Sequence, residues 1–303
     1  MEQLKNGTRQ LRDGVMVTHL QSRDGASAIV ADHGAHLLSW CPAGGAEALF
    51  LSRTSAYGGS AAIRGGVPVI FPQFGALGSG QRHGFARNTD WRYRGAAFDD
   101  GAAVASWELD SAATGVIEVA DTTVVPGFRL TCDMRLAAGT IDIGLTILNT
   151  SMQAWRCQAA LHTYLRVDAL EAICVEGLQA TPYVDQTRTM PAGAMLATAR
   201  AGRDAGPLVF AGEVDRIYPG APCRVVLQEG RRRLEVKMQG FSDTVVWNPG
   251  QAKAAALADL HAGGFREFVC IEAAAIGQPI ELAAGAHWRG VQSLQLFNGL
   301  SSD

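Results

Sequence analysis

The chain has 303 residues, 48% of them hydrophobic and 18% charged, with 26 basic against 29 acidic residues and a formal net charge of −3. That balance excludes disorder as the main state and gives no electrostatic basis for binding nucleic acid. The 35 glycines and 11 prolines imply many turns, which suits β-structure better than a helical bundle.

Along the chain, Met1 to Asp13 is polar and charged, without the apolar centre of a signal peptide. No run approaches 18 apolar residues, so no membrane span is expected. The pattern predicts strands at Gly14–Leu20, Ala103–Leu109 and Leu130–Leu136. The clearest is Thr140–Asn149, where Ile141, Ile143, Leu145 and Ile147 share one face and Asp142, Gly144 and Thr146 the other. Further strands are predicted at Arg224–Gln228, Leu234–Gln239 and Glu267–Glu272. Turn signals separate them at Pro126-Gly127, Ala138-Gly139, Pro219-Gly220 and Glu229-Gly230. One Ala-rich helix is predicted at Gln251–Leu260, stopped by Gly263-Gly264. Many short strands at this spacing read as a sandwich or barrel. With no linker and no fixed-period repeat, residues 1–303 are read as one all-β domain.

The six cysteines are scattered, none in a CxxC pair, and read as reduced thiols of a cytoplasmic protein. His33 and His36, in His33-Gly34-Ala35-His36, read as a surface turn rather than a metal site, because no companion ligand is near in sequence. Arg231–Arg233 reads as a solvated turn. The signatures GxxxxGK[ST], GxGxxG, HExxH and GxSxG are absent, so ATP, dinucleotide, zinc-protease and serine-hydrolase chemistries lose their usual support.

Ile63–Arg94 is different in kind. It packs Arg64, Arg82, Arg87, Arg92, Arg94 and His83 among glycines, prolines and aromatics. Guanidinium forks pair with phosphate or carboxylate, and glycines let a backbone approach a ligand. The bland alternative is a loop pinned by pairs such as Arg87–Asp90. His162 lies in a strand-like run, Leu161–Val167, where a lone His is usually structural. Glu272 ends the apolar run Phe268–Glu272, where burial would raise its pKa. Asp215 reads as a turn residue or a partner of Arg216.

Taken together these segments resemble the hexose-6-phosphate mutarotases, glucose-6-phosphate 1-epimerases of the aldose 1-epimerase superfamily. The matching stretches are Arg64-Gly65-Gly66-Val67-Pro68 with Phe71-Pro72-Gln73-Phe74-Gly75, His83–Trp91, and Leu161-His162-Thr163-Tyr164 with Val175–Leu178. Val214–Tyr218, Val246-Trp247-Asn248-Pro249, Asp259-Leu260, Phe268–Glu272 and Trp288–Gln292 follow in the expected order. One departure is Ala273-Ala274, where the family usually has Pro-Gly, and this substitution is expected to shift the loop presenting Glu272.

The resemblance implies a large antiparallel β-sandwich of the galactose mutarotase type with few short helices. It implies interconversion of α and β anomers through the open-chain aldehyde, with no metal and no cofactor. Glu272 would be the general base and His162 the general acid, within about 10 Å of each other, since both must reach one sugar. His83 and Asp215 would contact the sugar, Arg64 and Arg87 the phosphate, and Gln81 would be a weaker polar contact. The partner is a small sugar phosphate, with no nucleic acid and no membrane, and nothing demands more than a monomer. A free-sugar aldose 1-epimerase and a non-catalytic sugar-phosphate binding module are the alternatives.

Overall fold

The computed structural model describes residues 5–59, 61–77, 80–114, 127–187 and 201–298. Residues 1–4 of the N-terminal segment, Gly78 and Ser79, and Pro126 of the predicted Pro126-Gly127 turn lie outside them.

In chain order the strands begin with β1 (Thr8–Arg12), β2 (Val15–Gln21), β3 (Ser27–Ala31), β4 (His36–Cys41), β5 (Val69–Ile70), β6 (Arg92–Asp99) and β7 (Ala102–Asp110). A four-residue helix α1 (Ser111–Thr114) precedes β8 (Phe128–Ala137), β9 (Thr140–Asn149), β10 (Trp155–Leu161), β11 (Tyr164–Arg166), β12 (Ile173–Glu176), β13 (Tyr183–Asp185) and β14 (Ala201–Gly202). Then come β15 (Val214–Pro219), β16 (Arg224–Glu229), β17 (Arg232–Gln239), β18 (Asp243–Asn248), the short helix α2 (Gly250–Ala254), β19 (Phe268–Leu282) and β20 (His287–Asn298).

These strands form three antiparallel sheets. β1 to β4 make a four-stranded meander. A front sheet runs β14-β13-β15-β18-β19-β10-β5, with β11 also paired to β19, and a back sheet runs β12-β16-β17-β20-β9-β8-β7-β6. The fold is thus the expected large antiparallel β architecture.

The period-two pattern of β9 explains the core. Ile141, Ile143, Leu145 and Ile147 are fully buried. They pack in one cluster with Leu161, Val246, Val269, Ile271 and Ala273 of the front sheet and Leu294 of β20. Each such side chain removed from water stabilises the fold by about 1.5–3 kcal/mol. In β19 the odd residues Val269, Ile271, Ala273 and Ala275 face this core. The even residues face the other way, where Ala274 and Ile276 join Ile70, Phe74 and Val184, and Phe268 and Cys270 join Phe50, Tyr164 and Trp247. Glu272 shares that even, outer face.

Several expectations are corrected. The predicted helix at Gln251–Leu260 ends at Ala254, and tight turns carry the chain onward, with Leu257 N–H donating to Ala254 and Leu260 N–H to Leu257. Leu260 is drawn into the Phe50–Trp247 cluster, and that packing overrides alanine's helix propensity. Glu272 stands on no loop. β19 passes straight through Ala273 and Ala274, which pair with Leu161 and Ala160, so the residues replacing Pro-Gly continue the ladder. His33 and His36 are buried, not surface residues: His33 Nδ1 lies 2.7 Å from Asp90 Oδ1, and His36 Nε2 lies 2.8 Å from Gly65 O. Of the run Arg231–Arg233, only Arg231 sits in the turn; Arg232 enters β17 and donates to Arg166 O and Glu229. The six cysteines are free thiols, three of them buried.

Candidate active site

β19 meets β10 at Leu161↔Ala273 and β11 at Tyr164↔Cys270. The register is unbroken between those pairs, so His162 stands directly opposite Glu272. The run Leu161–Val167 is not one strand, however: β10 stops at Leu161, and His162 and Thr163 form a break before β11. There the Thr163 N–H turns to Leu161 O, while His162 N–H donates to Pro68 O. His162 Nε2 comes within 3.3 Å of Glu272 Oε1. Its ring stacks on Tyr164, with centroids 4.9 Å apart, and meets the edge of Trp247 at 5.8 Å.

Burial sets the protonation of this pair. Glu272 is 1% exposed, and loss of water pushes its carboxyl well above the usual range, with Asp215 adding to the rise. Burial pushes His162 well below its ordinary value, assisted by His83, Arg87 and Arg64. Both effects favour a protonated carboxyl beside a neutral imidazole, and a proton shared at 3.3 Å belongs to the pair. His162 Nδ1 and Glu272 Oε2 are buried without a hydrogen-bond partner among the described residues.

The irregular segment on either side of β5 forms one wall. Gly84 has φ +69°, and a Cβ there would lie 1.9 Å from Phe71 O. Gly66, at φ +59°, lets Leu37 O approach to a distance no side chain allows. His83 itself adopts φ +64°, sparsely populated for a residue with a side chain. Its Nδ1 accepts the Gly75 N–H at 3.2 Å, and its ring lies 5.6 Å from that of His162. Burial, then Arg87, Arg82 and Arg64, lower its pKa to about 2, which keeps the imidazole neutral.

The two arginines proposed for an anion have different surroundings. Arg64 is already committed: it reaches Asp259 at 2.9 Å and donates to Tyr164 Oη at 3.0 Å. Arg87 has no ion pair among the described residues. Its Nη2 donates to Arg82 O at 3.2 Å, and its buried Nε has no partner among the described residues. Burial and the positive charges of Arg64 and Arg82 pull its pKa down to about 10. Asp90 does not restrain it, because that carboxylate turns to His33. Arg92 is drawn off to Glu108 on β7, and Arg94 is exposed.

Asp215, on β15, is not paired with Arg216, which turns to Asp204. It accepts from Gln186 Nε2 at 2.7 Å, with Lys253 Nζ at 3.8 Å, and burial raises its pKa. Gln81 is exposed on the turn before His83, where its carbonyl accepts the Gly84 N–H. Cys270, two residues before Glu272 on the same face, completes a buried group with His162 whose ligand atoms lie within 4.8 Å of one another. Burial, then Glu272, pushes its thiol pKa far up, so it stays protonated. Sequence reasoning assigned no site role to Tyr164, Trp247 or Asp259, although all three sit in the quoted motifs. Gln186 carried no signal at all.

The aldose 1-epimerase family profile matches residues 16–295. A protein of Cenchrus ciliaris named "Putative glucose-6-phosphate 1-epimerase" is 32% identical over 270 residues, covering 85% of this chain and 78% of that protein. An Escherichia coli (strain K12) protein of the same name is 33% identical over 269 residues, covering 86% and 83%. The crystal structure of a Salmonella typhimurium protein described as a "putative mutarotase" superposes with a TM-score of 0.83 at 26% identity, covering 97% of this chain and 96% of the other. The chain belongs to the aldose 1-epimerase family.

Proposed function

We propose that this aldose 1-epimerase family member interconverts the α and β anomers of a hexose 6-phosphate, glucose 6-phosphate foremost. The observation that carries the substrate class is Arg87, a largely buried guanidinium with no carboxylate partner among the described residues. An unbalanced cation is costly to bury, and a phosphate near charge −2 offsets that cost while accepting the fork. Arg64, neutralised by Asp259, holds Tyr164 against the His162 ring and adds only weakly to the anion field. Asp215 and His83 orient the sugar hydroxyls, and Gln81 is an outer polar contact.

Glu272 and His162 carry the chemistry. In the opening direction, once the shared proton has crossed from Glu272 Oε1 to His162 Nε2, the Glu272 carboxylate removes the proton of the C1 hydroxyl. The His162 imidazolium protonates the ring oxygen, and the C1–O5 bond breaks. The open-chain aldehyde then faces a protonated Glu272 and a neutral His162, the pair of states that burial favours. Rotation about C1–C2 presents the other carbonyl face. His162 takes back the O5 proton as O5 attacks C1, and Glu272 returns its proton to the new hydroxyl. Each positioned group contributes about 10²–10⁴-fold to such a step.

The test is anomer exchange followed by NMR at neutral pH, with glucose 6-phosphate and glucose in separate tubes. Acceleration of the phosphate ester alone is the expected result. Equal acceleration of both sugars would remove Arg87 from substrate selection and point to a free-sugar epimerase. Binding of glucose 6-phosphate without acceleration would point to a binding module.

A further inference from the structure

The break at His162-Thr163 leaves a debt in the front-sheet ladder. In the unbroken register Thr163 faces Ile271, and the two should exchange both backbone hydrogen bonds. Only one forms: Ile271 N–H donates to Thr163 O at 3.1 Å. The Thr163 N–H has turned to Leu161 O at 3.0 Å, so Ile271 O loses its ladder donor inside a dry core. A side chain from the back sheet replaces it. Gln292, on β20 and fully buried, donates from Nε2 to Ile271 O at 3.1 Å. Its Oε1 accepts from Thr163 Oγ1 at 2.5 Å. The result is a closed ring: Thr163 Oγ1–H to Gln292, Gln292 to Ile271 O, and Ile271 N–H back to Thr163 O. Thr163 is next to His162, and Ile271 is next to Glu272.

We propose that Gln292 is a positioning residue, a cross-sheet strut whose amide substitutes for the missing ladder bond and fixes the His162–Glu272 separation without touching substrate. The alternative is that Gln292 only satisfies buried polar atoms, as most buried amides do. The geometry favours the strut because both ends of the amide land on residues adjacent to the reacting pair, across a break that one-residue chain continuity would not hold. This inference rests on the proposed anomerase reaction.

The experiment uses the full chain with Gln292→Leu, Gln292→Glu and Thr163→Val. A misplacement of the order of 1 Å costs about 100-fold in rate. Gln292→Leu is therefore expected to lower kcat for glucose 6-phosphate about 10- to 100-fold with KM within about twofold, in protein whose circular dichroism matches wild type. Gln292→Glu keeps the acceptor for Thr163 and can donate to Ile271 O only when protonated. Its kcat should fall as pH rises, along a limb absent from wild type. Thr163→Val removes one side of the ring with little change of shape, and it and Gln292→Glu decide the matter if Gln292→Leu does not fold. Unchanged kcat in these folded variants, or a loss confined to KM, would overturn the proposal. The imidazole ¹⁵N resonances of His162, assigned by their loss in His162→Gln, give a readout independent of turnover. Should wild type accelerate no sugar phosphate, the reaction assignment fails. Resonances that still move in Gln292→Leu then uphold the strut, and unmoved ones sink it.

Discussion

Replacing Glu272 with Gln should damage catalysis and stabilise the fold at the same time. The carboxyl is 1% exposed and its folded pKa is raised, chiefly by burial. The folded state therefore holds a proton that the unfolded chain releases above about pH 4.5. Stability linked to this group is full below that value and is lost as pH rises toward the folded pKa, at about 1.4 kcal/mol per pH unit. His162, whose folded value is lowered, acts in the opposite sense, losing stability as pH falls below about 6.5, and it is present in both proteins. An entropy of unfolding near 2.1 cal/mol/K per residue gives about 0.6 kcal/mol/K for this chain, so the slope is worth about 2 °C in Tm per pH unit. Gln is nearly isosteric and cannot ionise. Differential scanning fluorimetry from pH 5 to 8 should show the variant gaining on wild type by about that amount per unit. Its kcat should fall about 10²–10⁴-fold while glucose 6-phosphate still binds. A Tm difference independent of pH would show that Glu272 titrates normally, and the shared-proton account would fail.

Three further outcomes are expected. Arg87→Gln should raise KM for glucose 6-phosphate about 10- to 100-fold, the worth of one or two charge-assisted hydrogen bonds, in steady-state anomerase assays; an equal effect on free glucose would contradict the anion role. Asp259→Ala should act mainly on kcat, because Arg64 then loses the partner that steadies its grip on Tyr164 beneath His162, and a pure KM effect measured in the same assay would count against this. His83→Asn should leave the shape of the pH–rate profile between pH 5 and 9 unchanged, since a group lowered to about 2 does not titrate there; a vanished limb would reassign the titration to His83.

The strands were legible wherever one face is buried and the other is not. β9 matches its expected bounds, and β7 and β8 differ from theirs by one or two residues at each end. β19 was seen only to Glu272, because Ala273–Ile276 beyond it are buried on both faces and show no alternation, and Gly277, Gln278 and Pro279 after them are exposed. The helix after Asn248 failed because propensity is weak beside the packing of Leu260. At the site, residue types were readable but pairings were not. Nothing local in sequence places Asp259 against Arg64 or Gln186 against Asp215, contacts spanning 195 and 29 residues. The burial of His33 and His36 was missed for the same reason: their partners, Asp90 and Gly65, come from the distant irregular segment.

Glu272 is the fifth residue of a fifteen-residue strand that is laced to β18 on one side and to β10 and β11 on the other. Amides in such a place exchange with solvent only when most of the structure opens. The Glu272 carboxyl therefore has no private unfolding event available to it. Heat or denaturant should abolish turnover and the protection of the slowest-exchanging amides together, and the strand that carries the carboxyl offers less local freedom than the irregular wall around His83 and Arg87 or the His162-Thr163 break.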